Sequence, residues 1–114
     1  MSEADCIFCK IAAGEIDAEV VHDEDDVLAF EDINSKAPVH LLVIPKQHVA
    51  NLEEIGGLSD GVIKRLFEVS SIVAERAGVA ESGYAVRVNN GPDAQQEVFH
   101  LHLHVMGGRK LSMP

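Results

Sequence analysis

Three histidines alternate with leucines in the segment His100-Leu101-His102-Leu103-His104, and this pattern constrains the chain more than any other. Successive side chains of a β-strand point to opposite faces, so a strand here places all three imidazoles on one face. The apolar side chains that then face the other way, into a core, are Phe99, Leu101, Leu103 and Val105. Outer imidazoles on such a strand lie about 13 Å apart, which favours divided roles over one shared metal ion.

Length and composition predict one domain, residues 1–114, because 114 residues with 46% apolar content support a single core. The net charge of −10 and the absence of a basic stripe disfavour binding to nucleic-acid polymers or to anionic membranes. No stretch approaches 18 consecutive apolar residues, and the acidic start Met1-Ser2-Glu3-Ala4-Asp5 is unlike a secretory signal. We therefore expect a cytoplasmic protein.

The pattern of turns and apolar runs predicts an α+β fold of about five antiparallel strands, one long helix and a short N-terminal helical segment that closes at Ile11–Gly14. The long helix is expected over Asp60–Ala77, with Ser59 as N-cap and Gly78 as end signal. Its apolar stripe is expected to comprise Val62, Ile63, Leu66, Phe67, Val73, Ala74 and Ala77. The expected strands are Glu19–His22, Val27–Phe30, His40–Ile44, Tyr84–Asn89 and the histidine segment.

Only two cysteines occur, as Cys6-Ile7-Phe8-Cys9, and this spacing matches half of a zinc site. A disulfide framework would need more cysteines and an extracellular setting, so reduced thiols are the better interpretation.

The chain resembles the histidine-triad family, and specifically its nucleotide-binding Hint branch. The resemblance spans nearly the whole chain. It rests on the alternating segment His100–Met106, on Cys6–Ile11, on Leu28–Ile33, on Ala37–His48 and on Gly107-Gly108-Arg109. It implies a homodimer whose two sheets join, and hydrolysis of the P–N bond of purine nucleoside phosphoramidates, with a purine mononucleotide of AMP or GMP type as the ligand.

The resemblance also implies roles for individual residues. His102 is the implied nucleophile, surrounded by His100, His104 and His40. The residues implied to bind the nucleotide are Phe30, Asp32, Ile33, Asn89, Gln95, Gln96 and Glu97. On spacing and resemblance together, Cys6 and Cys9 with His48 and His100 form a candidate structural zinc site, while catalysis needs no cofactor.

The chemistry of imidazole suits this assignment, because a neutral ring keeps one lone pair that can attack phosphorus. The other ring nitrogen should donate to an acceptor, for which we expect a backbone carbonyl of a neighbouring strand. No Lys or Arg lies between Asn89 and Gly108. Transition-state charge is therefore expected to be stabilised by a His104 imidazolium, by the backbone N–H groups of residues 95–97 and by the Asn89 amide. His104 is also the expected proton donor to the leaving amine.

Two further functions remain open on the sequence. Gln95 stands where the family pattern usually has glycine, and a side chain there would narrow the phosphate loop or force its backbone. That feature favours a nucleotide-binding module with little turnover, while a related dinucleoside polyphosphate hydrolase is a second possibility. A metalloprotein that uses His100 and His102 as ligands on a small β-barrel is disfavoured, because the strand offers no nearby Glu or Asp ligand.

Overall fold

The structure is a computed structural model that describes residues 3–112; residues 1, 2, 113 and 114 of the expected domain lie outside it. Five antiparallel strands form one sheet in the order β1-β2-β3-β5-β4. The strands are β1 (Val20–Asp23), β2 (Val27–Glu31), β3 (Val39–Pro45), β4 (Tyr84–Arg87) and β5 (Leu103–Gly107). The helices are α1 (Ile7–Ala12) and α2 (Asp60–Arg76), with short 3₁₀ turns at Leu52–Gly57 and Pro92–Ala94. The predicted α+β fold is confirmed, with strand ends displaced by one to a few residues.

Helix α2 begins and ends where the sequence predicts. The Ser59 hydroxyl accepts a hydrogen bond from the Val62 N–H at 3.2 Å, which satisfies one of the free amides of the first turn. Gly78 follows the last turn with a φ of +81°, a left-handed conformation that glycine adopts without a side-chain clash. Apart from short 3₁₀ turns, no other helix lies in residues 13–112, and none in residues 3–112 is long and apolar enough to cross a membrane.

The apolar stripe of α2 differs in part from the predicted one. Its buried side chains are Leu66, Val69, Ser70, Val73 and Ala74. The prediction was wrong for Phe67, which is 56% exposed, and for Ala77, which is also exposed. Phe67 follows Leu66 and so lies about 100° round the helix from the centre of the buried stripe.

The sheet divides two apolar clusters, because alternate residues of each strand face opposite sides. The face that packs against α2 carries Val27, Ala29, Leu41, Val43, Leu103 and Val105. The other face carries Leu28, Phe30, Leu42 and Ile44, which pack with Phe8 of α1. Within residues 3–112, α1 and the loops alone cover this second face, which leaves room for a cavity.

The histidine segment is extended but is only in part a strand. Strand β5 begins at Leu103, so His100 and His102 precede its ladder. Leu101, Leu103 and Val105 are buried in the α2-side cluster as predicted. The prediction was wrong for Phe99, which is 48% exposed because it lies in a bend before the extended segment.

Candidate active site

A cavity of about 320 Å³ lies on the sheet face opposite α2. It receives side chains from β3, β4 and β5, from α1 and from two loops. Its lining residues are Phe8, Asp32, Asn34, Lys36, His40, Leu42, Arg87, Asn89, Gln95, Glu97, Val98, His102, His104 and Met106. The cavity therefore brings together three of the four histidines expected at the catalytic centre, His40, His102 and His104, with Gln95 and Glu97 of the neighbouring loop.

The hydrogen bonds of His102 fix which of its ring nitrogens is free. Its Nδ1 lies 2.7 Å from the carbonyl oxygen of His100, and a carbonyl can only accept, so Nδ1 carries the proton. Burial lowers the pKa of His102, which keeps the ring neutral at pH 7. The Nε2 lone pair is then available to a ligand in the cavity. We expected a carbonyl of a neighbouring strand as the acceptor. The acceptor is instead the carbonyl of His100, two residues earlier in the same segment.

His40 and His104 form a second ordered pair. The backbone N–H of Lys36 donates to His40 Nδ1 at 2.9 Å, so neutral His40 carries its proton on Nε2. That Nε2–H donates to His104 Nδ1 at 2.9 Å and also lies 3.3 Å from Asp32 Oδ2. His104 therefore keeps its own proton on Nε2.

The His104 ring is a neutral donor in this structure. Burial, together with the neighbouring histidines His102 and His40, lowers the pKa of His104 to about 4. The expected imidazolium is not what this environment favours at pH 7, because the site offers the ring too little compensation for lost hydration. What His104 provides is a neutral N–H directed by the bond from His40.

The cavity holds two cationic side chains, both from outside the histidine segment and neither predicted from the sequence. Arg87 of β4 pairs in register with His104 of β5, and Lys36 lies in the loop before β3; both line the cavity. Residues 89–108 contain no Lys or Arg, but neighbouring strands supply side chains from distant positions of the chain. Arg87 was predictable in part, because it lies in the predicted strand before the Asn89 turn. Side chains alternate along a strand, so Arg87 and Ala85 lie on the same face of β4, and these two residues pair with His104 and Met106 of β5.

The loop over residues 91–97 closes one side of the cavity. Gln95 lines it and has a φ of 63°, the only left-handed non-glycine residue in the described chain. Asn89 and Glu97 also line the cavity. The Gln96 side chain instead turns inward: it accepts from the Gly91 N–H at 2.9 Å and donates to the carbonyl oxygen of Ala50 at 2.8 Å. Gln96 therefore holds the loop and does not face the cavity.

Of the three residues expected to bind the ribose and the base, Asp32 faces the cavity and Phe30 and Ile33 do not. Asp32 lines the cavity. Phe30 is buried and packs edge-on against Phe8, with ring centroids 5.4 Å apart, so that Phe8 and not Phe30 faces the cavity. Ile33 is 92% exposed and is not among the lining residues.

His100 lies outside the cavity, in a group with Cys6, Cys9 and His48. One ligand atom from each of the four lies within 4.8 Å of every other. His100 Nδ1 is 3.3 Å from Cys6 Sγ, 3.5 Å from Cys9 Sγ and 3.3 Å from His48 Nδ1, and Cys9 Sγ is 3.4 Å from His48 Nδ1. Tetrahedral zinc with bonds of about 2.0–2.3 Å separates nitrogen and sulfur ligands by about 3.3–3.6 Å.

The protonation of His100 also fits a metal ligand. Its Nε2 donates to the carbonyl oxygen of Pro45 at 2.7 Å, which leaves the Nδ1 lone pair directed at the two sulfurs. Complete burial lowers the pKa of His100 to about 4, so the ring stays neutral. This cluster could hold a structural metal such as zinc.

A second group, Asp32 with His40 and His104, has its ligand atoms equally close but does not fit a metal. The Lys36 N–H occupies the lone pair of His40 Nδ1, so the proton of His40 must sit on the Nε2 that faces the other two residues. A metal ion there would have to displace that proton. The group is better described as a hydrogen-bonded relay.

The fold and the cavity define an α+β protein with a buried, tautomer-fixed histidine next to cationic side chains, an arrangement able to bind a phosphate ester and attack it. Residues 13–111 match the HIT domain family. The chain belongs to the HIT family.

Individual relatives agree with this assignment. The chain is 45% identical, over 100% of its length and 98% of the relative's, to an uncharacterized HIT-like protein of Synechococcus elongatus. It is 37% identical to the purine nucleoside phosphoramidase of Escherichia coli K12, over 92% of this chain and 88% of that protein. A solved HIT family hydrolase from Clostridium thermocellum superposes with a TM-score of 0.94 at 39% identity and covers 99% and 98% of the two chains.

The lowered pKa of His104 predicts acid sensitivity of the fold. The folded ring, with a pKa of about 4, binds a proton less readily than the unfolded one near 6.5, so the unfolded state takes up the proton first. The free energy of unfolding is therefore unaffected by this group above pH 6.5 and decreases as the pH falls toward 4. In urea unfolding with excess chelator, His104→Gln should flatten the slope of unfolding free energy in this range by about 1 kcal/mol per pH unit. Equal slopes in the two proteins would contradict this.

The backbone of Gln95 predicts different effects of two small substitutions. Both Gln95→Gly and Gln95→Ala remove the side chain from the cavity, but only glycine relieves the left-handed conformation. Gln95→Gly should therefore be more stable than Gln95→Ala by about 1 kcal/mol in chemical unfolding. If the side chain obstructs the cavity, both variants raise kcat/KM alike, whereas an effect of glycine alone would trace the obstruction to the backbone.

Proposed function

We propose that the protein hydrolyses the P–N bond of purine nucleoside 5′-phosphoramidates through a nucleotidyl-histidine intermediate on His102. The observation that carries the proposal is the hydrogen bond from His102 Nδ1 to the His100 carbonyl, which leaves Nε2 as the free nucleophile in a cavity of mononucleotide scale. The name of the Escherichia coli relative, purine nucleoside phosphoramidase, supports this choice of substrate class.

In the first step His102 Nε2 forms a bond to the α-phosphorus while the bond from phosphorus to the amine nitrogen breaks. The departing nitrogen needs a proton, and neutral His104 cannot supply one without becoming an imidazolate. We therefore assign the proton to a cavity water, which becomes hydroxide, and assign the His104 Nε2–H, held in place by His40, to orient that water. In the second step water attacks phosphorus, the bond to His102 breaks, and the proton that water loses restores the donor. The products are a nucleoside monophosphate and a free amine.

Charge on the phosphoryl oxygens is met by side chains from three elements. Arg87 and Lys36 supply positive charge, and the Asn89 amide adds a neutral donor. Glu97 also lines the cavity and lowers the positive potential there. We assign Asp32 to the ribose hydroxyls and Ile33, exposed beside it, to the purine face; Phe30 contributes indirectly by supporting Phe8.

A second candidate is a nucleotide-binding module with little turnover, and Gln95 is the observation that favours it. Its side chain lines the cavity in a loop that a glycine would leave more open. Wild-type protein incubated with adenosine phosphoramidate, with and without chelator, distinguishes the functions. Release of AMP that survives chelation supports the hydrolase, tight AMP binding without release supports the module, and release abolished by chelation supports metal chemistry.

Replacing the nucleophile should separate turnover from binding. His102→Gly is expected to lower kcat about a thousandfold or more, because no other group in the cavity is poised to form the intermediate. AMP affinity should change less than about tenfold, since Arg87, Lys36 and Asp32 remain. AMP release followed by chromatography, and calorimetry for binding, check this. His22→Gly is the matched control, because His22 pairs with Glu24 outside the cavity, and turnover retained by His102→Gly would remove the nucleophile assignment.

We further propose that the protein is a homodimer joined along β4. Both edge strands of the sheet, β1 and β4, offer unpaired backbone groups. The register of β1 is interrupted by an irregularity between Val20 and His22, and β1 is flanked by carboxylates that would repel a second copy. Strand β4 has a regular register, no acidic residue within it and an exposed Val86.

A charge placed on each edge tests the dimer. Val86→Lys should shift the protein from dimer to monomer in sedimentation equilibrium, because two lysines would meet across the joined strands. Val20→Lys places the same charge on the β1 edge and should leave the dimer intact. A wild-type monomer at micromolar concentration, or dissociation by Val20→Lys alone, would contradict the assignment to β4.

We also propose that Cys6, Cys9, His48 and His100 bind one zinc ion per chain. Elemental analysis of protein purified without added metal should give about one zinc per chain, with both thiols slow to react with a thiol reagent until a chelator is added. Cys9→Ser should lose most of the metal, and Ser71→Ala, an exposed helix position, should keep it. Metal-free protein with freely titratable thiols would remove the zinc proposal.

A further inference from the structure

We propose that Phe8 is a positioning residue for His102, and that metal bound by the Cys6/Cys9/His48/His100 cluster holds Phe8 in place, so that a site remote from the substrate sets the geometry of the nucleophile. This proposal rests on the proposed function for its kinetic test, but has a second readout that does not. It gives the cluster a part in turnover in addition to holding the N-terminal segment.

The first connection runs through helix α1. The two thiols of the cluster flank Phe8 in sequence, and Phe8 is buried on the cavity side of the sheet. Its ring lies edge-on to His102, with centroids 5.1 Å apart at 86°, and 6.0 Å from the ring of His100. Phe8 thus bridges the cluster and the nucleophile, and restricts the rotation of the His102 ring.

The second connection runs through the main chain. His100 directs its Nδ1 at both sulfurs, and the carbonyl oxygen of the same residue accepts the 2.7 Å hydrogen bond from His102 Nδ1. The position of the His100 ring is fixed from the other side by its bond to the Pro45 carbonyl. Displacing His100 would therefore move the acceptor that selects the reactive tautomer of His102.

Helix α1 depends on its side-chain anchors. It is six residues long, and a helix this short is not stable by itself in water. Its anchors are the packing of Phe8 on Phe30 and the contacts of the two thiols, with Cys9 Sγ 3.4 Å from His48 Nδ1. Four metal bonds would replace weak thiol–imidazole contacts with strong ones, so the position of Phe8 should depend on occupancy of the cluster.

The experiment compares zinc-loaded and zinc-stripped wild type with Cys9→Ser, Phe8→Leu and the double variant. Phe8→Leu keeps an apolar side chain and removes the edge-on ring. Stripping zinc, or Cys9→Ser, should lower kcat about tenfold with KM for the phosphoramidate changed less than about twofold. The double variant should fall no further than the more severe single variant, because both changes act through one contact. Arg65→Gln, which breaks an ion pair with Glu24 far from the cavity, is the control and should leave kcat unchanged.

The second readout is the ¹⁵N spectrum of the His102 imidazole. In the zinc-loaded protein it should report one tautomer, protonated at Nδ1, and on stripping it should move toward a mixture of the two. Because this signal needs no turnover, it still decides the proposal if the protein proves not to hydrolyse phosphoramidates. The dispersion of amide-proton shifts checks that Cys9→Ser is folded. If it is not, His48→Gln replaces it in the experiment, because it removes one ligand of the cluster and leaves the sequence of α1 unaltered.

An unchanged His102 spectrum on stripping overturns the proposal, even if kcat falls, because the loss would then be merely structural. Additive effects of Phe8→Leu and Cys9→Ser on kcat overturn it as well. A spectrum that becomes mixed, together with non-additive losses of kcat, supports it.

Discussion

The site depends on one interaction above all, the 2.7 Å hydrogen bond in which His102 Nδ1 donates to the carbonyl oxygen of His100. A neutral imidazole has one protonated and one bare nitrogen, and this bond decides which is which. Without it the tautomers of a buried ring would mix, and the Nε2 lone pair that we propose as the nucleophile would be present only part of the time. The cationic side chains of Arg87 and Lys36 lie in the same cavity as that lone pair.

Alternation of side chains across the sheet lets one short segment serve the core and two sites. Leu101 and Leu103 secure the chain in the cluster under α2, and between them the backbone presents His102 to the cavity. His100, at the start of the segment, is directed at the thiols of α1 instead. The hydrogen bonds also distinguish the two clusters that have metal-ligand side chains. His100 keeps a free lone pair on Nδ1, which suits a metal. His40 Nδ1 accepts from the Lys36 N–H, so its proton lies on Nε2 and its cluster with Asp32 and His104 is a hydrogen-bonded relay.

Local sequence signals predicted the fold well. Ser59 and Gly78 correctly marked the start and the end of α2, and the period-two pattern correctly placed Leu101 and Leu103 in the core. Both signals are readable because capping and alternation depend on a few adjacent residues. What the sequence could not provide was contacts between distant segments. Arg87 reaches the cavity only through its register with His104, and Phe8 replaces Phe30 at the cavity wall because of how α1 packs. The neutral state of His104 likewise follows from burial, which no motif reports.

The most direct test of the central claim is to trap the covalent intermediate. Protein mixed with adenosine phosphoramidate, quenched within milliseconds under conditions that preserve phosphorus–nitrogen bonds, should carry an adenylyl group on a single peptide, and fragmentation should place it on His102. An adenylyl group on His104 or on any other residue would contradict the account, as would hydrolysis of the substrate with no covalent adduct at any quench time.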